Sequence, residues 1–115
     1  MNHPMEDFRA FLKDELERRA SKNPSYSLRA FARDLGLTNS HLSMTLSGRK
    51  RISVDTAEQI AGRLNLETDA AEYLVLMAQR QFNGPSAIRQ LVDKRMLELR
   101  SVVVYPFVPP MADAS

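Results

Sequence analysis

The chain has no cysteine, which excludes disulfides and thiolate metal sites. Its apolar runs are far too short to cross a bilayer, and its first residues, MNHPMEDFRAFLKDELERR, interleave charges with apolar side chains instead of building a secretory leader. The cytoplasm is the expected compartment, with no membrane partner. Only two histidines occur, His3 and His41, in different contexts and outside any metal-ligand spacing. A glycine-rich phosphate loop, a nucleophile motif, an internal repeat and a low-complexity segment are all missing. Acidic residues are scattered singly on helix faces, where solvated charge is the expected role. The sequence therefore points away from an enzyme and implies no catalytic residue, metal or cofactor.

What is present is the composition of a globular protein: 115 residues, 43% hydrophobic and 26% charged, enough for one compact domain with a buried core. The net charge of +2 is unevenly spread. Residues 1–20 carry −1 and residues 52–115 carry −2, whereas residues 21–51 carry +5, from Lys22, Arg29, Arg33, Arg49, Lys50 and Arg51 against Asp34 alone. A positive patch in an otherwise mildly acidic chain is aimed at a polyanion, because the acidic remainder disfavours other orientations.

Periodicity predicts six helices and an all-α fold. Phe8, Phe11, Leu12 and Leu16 stripe a first helix over about 6–19, and Pro24 breaks the chain after it. Ser27 is placed to cap a second helix over about 28–35, with Tyr26 folding onto Phe31 as a hydrophobic staple and Gly36 ending it in the left-handed region. Thr38 or Asn39 caps a third helix through His41, Leu42 and Leu46, stopped by Gly48. Ile52 and Ser53 begin a fourth, with Val54, Ala57, Ile60, Ala61 and Leu64 inward. Thr68 is the expected cap of a fifth, whose run from Tyr73 to Ala78 is apolar nearly all round and should be central. Ile88, Leu91, Val92, Arg95, Met96 and Leu99 suggest a sixth. The following Val102-Val103-Val104-Tyr105 is strand-like, and Pro106, Pro109 and Pro110 favour irregular structure.

The stretch SLRAFARDLGLTNSHLSMTLSGRKRIS, residues 27–53, fits a helix-turn-helix. Ala32 is small where two helices cross, Gly36 makes the turn, Leu37 plugs inward, and Leu42 and Leu46 meet Phe31 and Leu35. The outward face of the third helix carries Asn39, Ser40, His41, Ser43, Met44 and Ser47. Asparagine pairs with adenine, serine with several base edges, and methionine touches a thymine methyl, so Asn39, Ser40, Ser43 and Met44 are the candidates for base contact. Arg29 at the second helix's start, Arg49, Lys50 and Arg51 after the third, and Ser47 are the candidates for the DNA backbone. Arg33 and Lys22 are secondary ones.

Tyr26, Ser27, Arg29, Phe31, Ala32, Gly36, Ser40, Leu42, Ser43, Leu46 and Gly48 also carry a resemblance. The region from Ser27 to Leu66 resembles the lambda-repressor-like, or XRE/Cro-type, DNA-binding domain. More narrowly, about 8–83 resembles the N-terminal domain of a family of bacterial regulators, many of which carry a larger C-terminal domain than 115 residues can contain. The resemblance implies four or five helices, the second and third forming the helix-turn-helix, and double-stranded DNA as the partner. The expectation is a sequence-specific transcriptional regulator of the repressor type, homodimeric, with a DNA-binding domain over 1–83 and a dimerisation or packing segment over 84–115. A protein-interaction module, an antitoxin or an adaptor, is the alternative on the same fold.

Overall fold

A computed structural model describes residues 8–82 and 84–103. The described residues form six helices and no strand: α1 (Phe8–Lys22), α2 (Leu28–Leu35), α3 (Asn39–Leu46), α4 (Val54–Arg63), α5 (Thr68–Arg80) and α6 (Ala87–Arg100). The all-α architecture follows the periodicity, and local chemistry explains most boundaries.

Ser27 caps α2 from an extended backbone, its hydroxyl accepting from the Ala30 N–H at 3.1 Å. The Tyr26 and Phe31 rings lie 6.3 Å apart, which is the staple that fixes how the chain enters α2. Gly36 ends α2 with φ of 77°, and the Leu37 N–H returns to the Ala32 carbonyl at 2.8 Å. Without a Cβ this left-handed turn costs little. Thr38 caps α3 by accepting from the His41 N–H at 2.9 Å, and Ser53 caps α4 by accepting from Thr56 at 3.1 Å.

The expected cap at Thr68 is corrected: Glu67 occupies the N-cap position of α5 and makes no side-chain cap bond, so Thr68 is already the first helical residue. At the start of α6 the cap is supplied in the usual way by Ser86, which accepts from the Arg89 N–H at 3.0 Å.

Phe31, Leu35, Leu42, Ile52, Ile60, Tyr73 and Leu74 are fully buried. The α5 helix is central: it packs on α4, α6 and α1, and buries Tyr73, Leu74, Met77 and Ala78. Of the α6 set, Val92, Met96 and Leu99 face the core, while Ile88 and Leu91 lie outside it. The strand-like reading at Val102 and Val103 fails, since both N–H groups return to the Leu99 carbonyl and finish the last turn of α6. Val104, Tyr105 and the prolines beyond lie outside the described residues.

Acidic residues are not all solvated, contrary to expectation. Glu15 is 2% exposed on the core side of α1, where it accepts from Arg18 and, at 2.8 Å, from Arg19. It stands one turn beyond Leu12, on the stripe that carries Phe8 and Phe11, so its burial follows from position. Its charge is tolerable there only because two guanidiniums meet it.

Candidate nucleic-acid interface

Helix α3 lies against α1 and α2, with Leu42 and Thr45 inward. Thr45 satisfies its hydroxyl by donating to the His41 carbonyl at 2.9 Å. The opposite side presents Asn39, Ser40, Ser43, Met44 and Ser47, all exposed. Because Thr38 does the capping, the Asn39 amide is not committed to the helix end. The Ser40 hydroxyl leans toward the Met44 sulfur at 3.8 Å, a weak contact that an acceptor on a base edge would displace. Ser47 donates its hydroxyl to the Met44 carbonyl at 3.0 Å, which leaves the oxygen as an acceptor only. The four proposed base contacts thus share one face, and Ser47 stands at its end.

The basic loop leaves α3 from a fixed backbone. The Met44 carbonyl accepts from the N–H groups of Arg49 and Lys50, at 2.9 and 3.2 Å, and Gly48 turns the chain with φ of 84°. Arg49, Lys50 and Arg51 are exposed. The Arg51 guanidinium rests over the Phe82 ring, 5.5 Å from its centre, and the Gln81 amide donates to the Ile52 carbonyl at 3.4 Å. Those two contacts tie the loop to the end of α5. Arg29 is exposed in the first turn of α2, where backbone N–H groups and the helix dipole also favour an anion.

Asp34, the one carboxylate of the basic segment, is already engaged. It accepts from the Tyr26 hydroxyl at 2.5 Å and from Arg19 at 3.2 Å. Burial, with Asp34 accepting the Tyr26 proton, pushes the Tyr26 hydroxyl up to about 12. His41, the other outward candidate, is half-buried. Its imidazole is held below its usual value, first by burial and then by the positive charge of Lys50, so it is neutral at pH 7.

Two anchoring residues escaped the sequence reading. Arg9, on α1, donates its Nε to the Leu46 carbonyl at 2.6 Å and so holds the C-terminal end of α3. A Cβ at Gly48 would lie 3.1 Å from the Arg9 guanidinium, which explains why the turn brings no side chain there. Gln59, on α4, donates to the carbonyls of Leu35 and Gly36 at 3.1 and 2.9 Å, holding the turn between α2 and α3. Neither follows a local spacing rule: the pairs lie 37 and about 23 residues apart.

Two short helices crossing about a glycine turn, with an exposed polar face and a basic loop fixed beside it, have the geometry of a DNA-binding module of the regulator class. The comparison with protein families agrees: residues 18–70 match the helix-turn-helix family model, which is of the lambda-repressor-like, XRE type. No curated protein and no solved structure matches the chain. The matched span runs from the end of α1 to the start of α5 and contains every proposed DNA-contacting residue. No helix among the described residues is long and apolar enough to cross a membrane.

Proposed function

We propose that the chain is a cytoplasmic, sequence-specific transcriptional regulator of the repressor type that binds its operator as a homodimer. The observation that carries this reading is the division of the α3 surface. Asn39, Ser40, Ser43 and Met44 form a small, mostly polar face suited to base edges in the major groove. Arg29 in the first turn of α2, and Ser47, Arg49, Lys50 and Arg51 at and after the end of α3, are exposed and suit the phosphate backbone.

A dimer follows from the size of that face. One short helix reads too few base pairs for a unique site, whereas two helices about 34 Å apart read successive major grooves on one side of the duplex. Residues 1–83 supply the reading head in this scheme, and residues 84–115 bring two heads together. Selection of bound sequences from random duplex DNA tests the function. A palindromic consensus with half-sites one helical turn apart is expected. Recovery of unenriched DNA, even at low salt, would remove the regulator reading.

A further inference from the structure

Helix α6 buries Val92, Met96 and Leu99 against the core, yet its Ile88 and Leu91, and Val102 in the turn that follows Arg100, are 54, 67 and 60% exposed. Those three residues, with Arg95 and Glu98 between them, fall at positions 88, 91, 95, 98 and 102. The intervals alternate three and four, the spacing of a coiled-coil seam, and place all five on one narrow stripe about a quarter turn from the core-facing side. The stripe adjoins a second apolar surface. Glu72 of α5 accepts from Arg95 at 2.8 and 3.0 Å, and it also lines an open groove of about 430 Å³ with Ala61, Leu66, Ala71 and Val75 between α4 and α5.

We propose that this α6 stripe is the homodimer contact, and that two copies pair their α6 helices antiparallel in a register centred between residues 96 and 97. This rests on the homodimer reading above and names its surface. The argument is self-complementarity. A two-fold contact requires that the residue facing i be reached from i in both copies. In this register Arg95 faces Glu98 of the other copy, twice, and Leu91 faces Val102 of the other copy, twice. Charge meets opposite charge in the two Arg95–Glu98 layers, and apolar meets apolar in the two Leu91–Val102 layers. A parallel pairing would set Arg95 against Arg95 and Glu98 against Glu98. A seam this short is small beside the ~1,000 Å² of a stable interface, and the adjoining groove, which the partner helix would overlie, supplies the remainder.

The absence of native cysteine makes the register directly measurable. Leu91→Cys and Val102→Cys change exposed positions and leave the core intact. Eleven residues of helix span about 16 Å. A disulfide needs Cα atoms within roughly 7 Å, so neither an intrachain bridge nor a self-pair is possible in the proposed register. Mixed Leu91→Cys and Val102→Cys chains are expected to oxidise to a covalent dimer, and each variant alone is not. Leu97→Cys, roughly 140° round the helix from the stripe, should likewise form no covalent dimer in oxidant. Glu98→Arg should weaken dimerisation about fivefold to tenfold in sedimentation by placing like charges together.

Cross-linking of Leu91→Cys alone would overturn the antiparallel register. A dimer in sedimentation whose mixed variants fail to cross-link would overturn the α6 contact while leaving the homodimer standing. A monomer at all concentrations, free and on DNA, would overturn both.

Discussion

Replacing Gly36 by alanine asks how much of the helix-turn-helix geometry rests on one missing side chain. Gly36 has φ of 77°, and an added Cβ would approach the Gln59 amide nitrogen to 2.7 Å and the Arg63 guanidinium to 3.1 Å. Holding an L-residue in the left-handed region costs about 1–2 kcal/mol. The clash falls on the end of a flexible side chain, so Gln59 swings away rather than forcing the helices apart. It then loses its bonds to the Leu35 and Gly36 carbonyls, a further cost of about 1 kcal/mol. The sum is about 2–3 kcal/mol, which for a domain of roughly 100 residues lowers Tm by about 10–20 °C. Thermal unfolding followed by circular dichroism reads it. Gly36→Asn should recover roughly half, because asparagine tolerates the left-handed region. Gln59→Ala combined with Gly36→Ala should cost less than the two singly, since the displaced amide is then already gone. A loss below about 0.5 kcal/mol for Gly36→Ala, or strict additivity with Gln59→Ala, would refute the reasoning.

Other substitutions test other links. Glu15→Ala leaves Arg18 and Arg19 without their shared carboxylate; because both guanidiniums keep some solvent contact, the expected loss in urea unfolding is about 2–3 kcal/mol, below that for a fully buried pair. Tyr26 is pushed up to about 12, above its ordinary value of 10, so the folded state holds this proton more tightly. Its contribution is complete below pH 10 and is lost as pH rises through 12, and wild type and Tyr26→Phe should therefore converge in stability over that alkaline window. Tyrosinate absorbance of wild type minus Tyr26→Phe should show the late step directly. Asn39→Ala should weaken the selected operator by about 1–3 kcal/mol while sparing random DNA. Arg49→Ala should instead weaken both and reduce the slope of log affinity against log salt by about 0.9.

Much of the helix-turn-helix was legible because it is written in local chemistry. Ser27, Thr38 and Ser53 are capping hydroxyls, Gly36 is a left-handed turn, and the stripes of Phe31, Leu35 and Leu42 have the helical period. The proposed contact residues were legible for a related reason: a polar face on one helix followed by three basic residues is a local pattern. What stayed hidden depends on tertiary approach. Arg9 reaches Leu46 and Gln59 reaches Leu35 only after the bundle closes, and neither spacing has a meaning along the chain. Glu15 did carry a signal, since it occupies the apolar stripe of α1, but its residue type argued against burial until Arg18 and Arg19 were seen around it. On α6 the period gave the helix and could not divide its apolar residues between the core side and the outer stripe. Thr68 misled because its hydroxyl suits a cap that Glu67, one residue earlier, occupies by backbone geometry.

The stacking of Arg51 on Phe82 and the Gln81 bond to the Ile52 carbonyl have a thermodynamic consequence. They join the loop proposed to grip phosphate to the segment that leads into α6. Any free energy that pairing of α6 places on Phe82 is felt at Arg51, and linkage makes the effect reciprocal. The factor by which the proposed pairing would tighten the hold on an operator is also the factor by which the operator would tighten pairing. Titrating DNA into dilute protein should therefore draw protomers together at concentrations where they are apart without it, and Phe82→Ala should uncouple the two equilibria.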